Sequence, residues 1–112
     1  MSELVVLITV PSKGESVRIA ESLVSQRLAA CVNIIPGIES IYRWEGKIAH
    51  DEELLLLIKT TSDRFAELEL QVKDLHSYTT PEIIALEVKD GSSAYLRWLR
   101  DSTLPGGDEQ KD

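Results

Sequence analysis

The sequence predicts an α+β fold in which strands and helices follow one another in the order β-α-β-β-α-β, with a short helix at the end. Three observations lead to this order. Near the N-terminus an apolar run is followed by a helix-capping signal, a long extended stretch folds back at Glu45-Gly46, and a second amphipathic stretch precedes a short strand pattern. Because no repeat or low-complexity linker interrupts the pattern, the 112 residues are expected to form one domain.

The first β-α unit lies within residues 4–28. Residues 4–10 are apolar except for Thr9, and β-branched runs of this kind are typical of a strand buried on both faces. Ser12 and Glu15 have the spacing of a capping box, in which each side chain accepts a hydrogen bond from the other residue's N–H. A helix then follows from an apolar stripe at steps of three and four residues. The stripe consists of Val17, Ala20, Val24 and Leu28.

Residues 31–44 and 47–60 predict two long paired strands. Pro36-Gly37 inside the first strand predicts a bulge, and Glu45-Gly46 predicts a two-residue turn between the strands. Residues 47–60 would span roughly 45 Å at ~3.3 Å per residue. A domain of this length is only about 30 Å across. Part of the hairpin is therefore expected to leave its own domain and to find another partner.

The second half of the chain predicts a helix, a loop, a short strand and a final helix. Thr61 or Ser62 is expected to cap the first of these helices, which covers the sheet with one apolar face. That face consists of Phe65, Leu68, Val72 and Leu75. A polar loop over residues 76–82, a strand over 83–88 and a short helix capped by Ser92 or Ser93 follow. Residues 1–104 are thus expected to form a single domain, and residues 105–112 a flexible acidic tail.

Composition excludes several classes of protein. With 43% hydrophobic and 28% charged residues the chain is globular rather than disordered. A net charge of −7 argues against a nucleic-acid partner, and the single cysteine excludes an intrachain disulfide. No apolar run reaches the ~18 residues of a membrane span, and residues 1–3 lack the basic region of a secretory signal. We therefore expect a cytoplasmic protein without a membrane partner.

The predicted order of elements is that of the ferredoxin-like sandwich, in which both helices cover one face of an antiparallel sheet. Residues 4–10 and 54–58 do not alternate between apolar and polar, so neither face of their strands suits water. Something must cover the second face, and the long hairpin needs a partner to pair with. Self-association in a closed cyclic oligomer would meet both requirements.

Two blocks of sequence carry a family resemblance. The first combines residues 29–34 (Ala-Ala-Cys-Val-Asn-Ile), Pro36-Gly37-Ile38 and residues 40–48 (Ser-Ile-Tyr-Arg-Trp-Glu-Gly-Lys-Ile). The second is residues 76–84 (His-Ser-Tyr-Thr-Thr-Pro-Glu-Ile-Ile). Both blocks resemble the CutA family of divalent-cation tolerance proteins, over roughly residues 4–102. The resemblance implies a ferredoxin-like homotrimer, related in architecture to PII signalling proteins and linked to tolerance of copper or other divalent metals.

His76 and Cys31 are the candidate metal ligands. Copper(I) prefers thiolates, whereas copper(II) prefers imidazole and carboxylate. The resemblance implies a cysteine on the first strand and a histidine pair before the Tyr-x-x-Pro loop, but the matching positions are Ile8, Leu75 and His76. His76 is either a ligand or a loop histidine bonded to backbone, and Cys31 either a reactive thiol or a small buried hydrophobe. We therefore expect no firmly bound cofactor, and only weak binding of copper or another divalent metal.

Aromatic side chains point to a second site. Tyr42 and Trp44 fall on one strand face. They are predicted either to pack at a subunit interface or to form one wall of a cleft between subunits. In the second case Tyr78 and Glu82 from the loop, and Lys59, would join them. An aromatic wall with a carboxylate, an amine and a phenol could hold a small polar ligand.

Three classes of function remain open at this level. The first is a CutA-like trimer that gives tolerance to divalent metals such as copper through weak metal binding. The alternative is a PII-like binding module that senses a small polar ligand between subunits. An enzyme is not expected, because no catalytic constellation is visible and the loop of residues 11–14 offers only Lys13 where a small phosphatase of this plan needs arginine. The carboxylate run at residues 51–53 is interpreted as a solvated strand end, and the alternative is that its oxygen atoms gather divalent ions weakly without a defined cage.

Overall fold

The computed structural model describes residues 2–106, which fold into one four-stranded sheet with three α-helices. The elements are β1 (Glu3–Val10), α1 (Lys13–Ser25), β2 (Cys31–Trp44), β3 (Lys47–Thr61), α2 (Phe65–Leu75), β4 (Ile83–Glu87) and α3 (Ser93–Ser102). The strand order is β2-β3-β1-β4, and every neighbouring pair is antiparallel. The α+β class and the predicted order of elements are confirmed. Most of the predicted acidic tail, residues 107–112, lies outside the described residues.

The hydrophobic core lies between α1, α2 and one face of the sheet. In β1 the fully buried positions are even-numbered, and the register sets Val6 against Ile58 and Ile8 against Leu56. Leu23 of α1 and Leu68 of α2 belong to the same buried cluster. Each such side chain stabilises the fold by about 1.5–3 kcal/mol through burial of apolar surface. The predicted stripe of α2 therefore does face the sheet. The predicted stripe of α1 was wrong in part, because Val24 is 44% exposed and the buried apolar residues of this helix are Ile19, Ala20 and Leu23.

The opposite face of the sheet is apolar but only partly covered within the chain. Leu7 of β1 lies between Leu57 of β3 and Ile84 of β4. Leu7 and Leu57 are half-buried, whereas Ile84 is exposed. Helix α3 packs against β1 and β3, so it covers part of the sheet and leaves the β4 edge open. The strands that do not alternate in sequence thus have one fully buried and one incompletely buried face.

The β2-β3 hairpin gives the molecule its elongated shape of 50 × 27 × 23 Å. Pairing continues to Trp44 and Lys47 at the end of the hairpin. Glu45 and Gly46 have φ values of +51° and +77°, as a two-residue turn of the type that matches strand twist requires. The predicted bulge is also present, because the register shifts between Ile35 and Ile38.

The predicted start of α2 was wrong. A 3-10 turn occupies Ser62–Arg64, α2 begins at Phe65, and the side chain of Thr61 makes no capping bond. Ser62 Oγ instead accepts a hydrogen bond from the backbone N–H of Ser2 at 2.9 Å. The hydroxyl that looked like a helix cap thus ties the N-terminus to the end of β3. Among residues 2–106, no helix is long and apolar enough to cross a membrane.

Leu56 provides a test of this core. It is fully buried, whereas Leu70 on α2 is 70% exposed. Leu56→Ala should lower the free energy of unfolding by about 2–5 kcal/mol, because it removes buried methyl groups and leaves a cavity. Leu70→Ala should change it by no more than about 0.5 kcal/mol. Thermal unfolding of both variants at one protein concentration checks this, and equal losses would contradict the placement of Leu56.

Candidate functional site

The outer half of the hairpin presents aromatic and acidic side chains on one face. Beyond the bulge, Ile38 lies opposite Glu53 and Ser40 opposite Asp51. Because side chains alternate along a strand, Tyr42 and Trp44 share the face of these two carboxylates. The Tyr42 hydroxyl donates a hydrogen bond to Asp51 Oδ2, diagonally across the strand pair. This hydrogen bond raises the pKa of Tyr42 above its ordinary value, and burial of the phenol raises the pKa further.

The loop after α2 is held in place by His76. The Nε2 atom of this buried ring lies 2.7 Å from the carbonyl oxygen of Thr9, so Nε2–H must donate. Its Nδ1 atom accepts a hydrogen bond from the backbone N–H of Tyr78 at 3.0 Å. The rings of His76 and Tyr78 also pack at 4.8 Å between centroids. His76 therefore ties the loop to β1 and orients Tyr78.

Glu15 at the start of α1 adds a second anchor for the same loop. Ser12 Oγ accepts from the N–H of Glu15 at 3.2 Å, which is one half of the predicted capping box. The other half was wrong, because the Glu15 carboxylate does not return to Ser12. Its Oε2 atom accepts from the N–H of Ser77 at 2.9 Å and lies 3.3 Å from Nδ1 of His76. Glu15 therefore couples the first helical turn to the loop.

Tyr78 joins the loop to the hairpin. Its hydroxyl donates to Oε2 of Glu53 at 2.7 Å, and Glu53 is only 5% exposed. Burial, followed by the hydrogen bond to Glu53, raises the pKa of Tyr78 far above its ordinary value. The phenol thus stays protonated and acts as a donor. Within residues 2–106 this is the one hydrogen bond that Glu53 receives from another side chain.

These groups surround a cavity of about 620 Å³ between the hairpin and the loop. Three aromatic rings line it, from Tyr42, Trp44 and Tyr78. Two carboxylates line it as well, from Glu53 and Glu82. Small hydroxyl side chains complete the wall: Thr9, Ser40, Thr79 and Thr80. The volume falls within the roughly 300–1,000 Å³ of sites that hold small molecules.

Four of the five residues predicted for a cleft therefore line one cavity: Tyr42, Trp44, Tyr78 and Glu82. Lys59 does not. It lies opposite Cys31 near the other end of the hairpin, where its ammonium donates to Asn33 Oδ1. The prediction of an amine in this wall was wrong, because five residues of β3 lie between Glu53 and Lys59.

Glu53 is the site residue that sequence reasoning missed. It was interpreted as part of a solvated strand end, but only Asp51 and Glu52 of that run are exposed. The signal was available, since a two-residue turn at Glu45-Gly46 fixes the register of the paired strands. Counting back from the turn places Glu53 on the same face as Trp44.

The two candidate metal ligands lie apart and do not form a site. Both ring nitrogens of His76 have protein partners, so neither offers a lone pair without rearrangement. Cys31 is a half-buried free thiol at the start of β2, whereas His76 contacts Thr9 beside Leu55. Across residues 2–106, no three His, Cys, Asp or Glu side chains are grouped so that they could hold a metal ion. Within the described residues, His76 and Cys31 therefore do not contribute to one common metal site.

The fold and the cavity together define a class: a small α+β protein with a ligand-sized cavity beside a long hairpin. Comparison of sequences gives the family. The model of the CutA1 divalent ion tolerance protein family matches residues 4–102, and the chain belongs to this family.

Relatives and solved structures agree with this assignment. The chain is 57% identical over 101 residues to the divalent-cation tolerance protein CutA of Thermus thermophilus, covering 90% of this chain and 98% of that protein. Its solved structure has a TM-score of 0.89. CutA1 from Oryza sativa has a TM-score of 0.90 at 50% identity, covering 93% and 95% of the two chains. The solved structure of the periplasmic divalent cation tolerance protein CutA of Archaeoglobus fulgidus has a TM-score of 0.88 at 43% identity. That match covers 91% of this chain and 99% of the Archaeoglobus chain.

The chain matches only part of the full sequence of a plant relative. The chain is 52% identical over 100 residues to the chloroplastic protein CutA 1 of Oryza sativa, and this match spans 89% of the chain but 56% of the relative.

The raised pKa of Tyr78 predicts a loss of stability in alkali. A tyrosine in the unfolded chain releases its proton near the ordinary pKa of 10.0, whereas folded Tyr78 retains it. The unfolded state then binds fewer protons, so the free energy of unfolding falls as the pH rises above about 10. Tyr78→Phe should make this decline shallower between about pH 9 and about pH 11, as measured by urea unfolding. Equal declines in both proteins would contradict the buried hydrogen bond.

Proposed function

We propose that this CutA-family protein acts in divalent-cation tolerance as a binding module that holds a small molecule in the cavity between the hairpin and the Tyr78 loop. The observation that carries the proposal is the cavity itself: about 620 Å³, walled by three aromatic rings and closed by the buried carboxylate of Glu53. Sites of this kind bury most of a small ligand and orient it with few polar groups. Of the two functions expected from the sequence, this favours the PII-like module over tolerance through metal binding.

Hydrogen bonds hold two of the aromatic side chains that line the cavity in fixed positions. Tyr78 is fixed at its backbone by His76 and at its hydroxyl by Glu53. Tyr42 is fixed at its hydroxyl by Asp51. Rings that are already ordered lose little conformational entropy when a ligand binds between them. The arrangement therefore supports recognition rather than simple packing at the end of a strand.

Self-association into a closed homotrimer is part of this proposal. The hairpin carries exposed apolar side chains on both faces, with Ile41 63%, Ile48 66% and Trp44 59% exposed. On the β4 edge, Ile84 and Leu86 are about half exposed as well. Exposed apolar side chains in this number support an interface on the hairpin and on the β4 edge. In a cyclic assembly the projecting hairpin of one subunit would cover the open sheet face of the next, and the cavity would lie at their boundary.

Metal ions enter this proposal only as weakly bound species. Glu39 and Glu52 lie directly opposite each other and are both exposed. Two like charges in register repel each other, and a divalent cation at the surface would relieve that repulsion. Copper or another divalent metal would bind there without a defined cage. We further propose that the chain is not an enzyme, since the raised pKa values of Tyr42 and Tyr78 keep them as donors rather than nucleophiles. A cytoplasmic location stays a prediction.

Native mass spectrometry of protein taken from cell extract without added metal tests the proposed function. We expect a trimer that carries an additional small-molecule mass. In a Trp98→Phe background, removal of that molecule should change the emission of Trp44, because Trp44 lines the cavity. Trp44→Phe should weaken retention while leaving the trimer intact. A monomer at micromolar concentration, or a trimer with no retained molecule and an unresponsive Trp44, would contradict the proposal.

Copper titration separates surface binding from a built site. Calorimetry should give weak binding that His76→Asn leaves unchanged, because both ring nitrogens of His76 already have partners. Glu39→Gln should reduce the binding, since it removes one carboxylate of the exposed pair. Glu69→Gln on α2 is the control of equal charge. One tight site per chain that is lost in His76→Asn would overturn this assignment.

A further inference from the structure

The charges around the cavity are unbalanced. Glu53 and Glu82 line it, Asp51 lies beside them, and none of its lining residues is a lysine, arginine or histidine. Within residues 2–106, no ion pair involves any of these carboxylates. Lys47 lies opposite Trp44 at the end of the hairpin, but it neither lines the cavity nor pairs with these acids.

The imbalance of charge matters most at Glu53, because this carboxylate is the one that is buried. As a whole residue Glu53 is only 5% exposed, and within residues 2–106 only the neutral hydroxyl of Tyr78 donates to its carboxylate. A buried carboxylate without a cation is costly, because one hydrogen bond does not replace the hydration it has lost. The carboxylate oxygen that Tyr78 does not contact has no hydrogen-bond partner in the described chain, and it is not sealed from solvent. It is thus open to a donor that enters the cavity.

The aromatic rings select the same kind of partner. Tyr42, Trp44 and Tyr78 all line the cavity, and the faces of such rings attract cations through their quadrupoles. Two of these rings have their hydroxyl groups already engaged by carboxylates. Each of these two phenols therefore donates its hydroxyl hydrogen to a carboxylate, so neither hydroxyl is a free donor toward the cavity.

From these contacts we propose that the ligand of this cavity is a small organic cation: an ammonium or guanidinium group on an apolar body, whose N–H donors meet Glu53 and Glu82 while its apolar part lies against the rings. The inference rests on the proposed binding function and assigns the class of its ligand. An inorganic divalent cation is the weaker fit, because it needs several oxygen ligands at once and residues 2–106 offer no group of three such side chains.

A series of three probes of similar shape tests the assignment. Cyclohexylammonium, cyclohexanol and cyclohexanecarboxylate differ in charge, and none of them absorbs where tryptophan is excited. Binding is followed by Trp44 emission in the intact Trp98→Phe protein after any retained molecule has been removed. We expect the ammonium to bind about tenfold more tightly than the alcohol, and the carboxylate more weakly than either.

Matched variants locate the charge that is responsible. Glu53→Gln should weaken binding of cyclohexylammonium about tenfold and that of cyclohexanol much less, because only the ammonium loses a charged partner. Glu82→Gln, at an exposed position that does not endanger folding, should weaken it several-fold. Glu52→Gln removes the same charge from the next residue, which faces away from the cavity. It should change binding less than about twofold, which separates a specific contact from attraction to an acidic protein.

The outcomes distinguish the two proposals. Equal binding of ammonium and alcohol, or tighter binding of the carboxylate, overturns the organic cation and leaves the binding module in place. Equal binding is also the result expected if a lysine or arginine of a second copy already neutralises Glu53. If no probe binds while native mass spectrometry shows a retained molecule, the cation assignment again fails alone. If no probe binds and nothing is retained, both proposals fail.

Discussion

The register of the β2-β3 hairpin is the constraint on which the candidate site depends. The turn at Glu45-Gly46 fixes this register at one end, with both residues in the left-handed region. The bulge between Ile35 and Ile38 then changes which residues of β2 share a face with the odd-numbered residues of β3. If β2 alternated regularly through Pro36-Gly37 and did not bulge there, a strand that places Ile34 in the core would turn Tyr42 and Trp44 to the face of the helices. A slip of one residue has the same effect.

The loop after α2 depends on a second set of contacts, which are independent of the hairpin. His76 reaches back to Thr9 of β1, and Glu15 of α1 holds the N–H of Ser77. These hydrogen bonds hold the loop that carries Tyr78 in place without any contribution from Glu53. The loop and the hairpin are thereby joined by the side-chain hydrogen bond from Tyr78 to Glu53 at 2.7 Å, the one such bond between them that residues 2–106 show. The cavity exists because neither part fills the space between them.

Much of the fold follows from local signals in the sequence. The order of elements, the bulge at Pro36-Gly37 and the two-residue turn are each specified by a few neighbouring residues, and all three are present. The exceptions involve hydroxyl and carboxylate groups with more than one satisfactory partner. Ser62 bonds to Ser2 rather than capping a helix, and Glu15 bonds to the loop rather than to its own cap. No local pattern states which of two partners a polar group takes once the chain is compact.

The residues of the candidate site also divide into those that the sequence predicts and those whose placement depends on the folded chain. The sequence predicted that four residues share a cleft, from the positions of their rings and from the family resemblance of their segments. All four line the cavity: Tyr42, Trp44, Tyr78 and Glu82. Lys59 was placed with them on chemical grounds, but distance along the strand separates it from the cavity. Glu53 was passed over because acidic residues near a strand end are usually solvated, and its burial arises only when the Tyr78 loop folds over it.

The exchange of Lys59 for Glu53 changes the character of the site from mixed to acidic. In a mixed site the carboxylate and the amine would pair with each other, and neither charge would be left for a ligand. An acidic one leaves a desolvated charge inside a protein that is already at −7. A protein tolerates such a cost where the charge has a function. A positively charged group that entered the cavity would therefore meet Glu53 without having to displace a cation, because no lysine, arginine or histidine among residues 2–106 forms an ion pair with it.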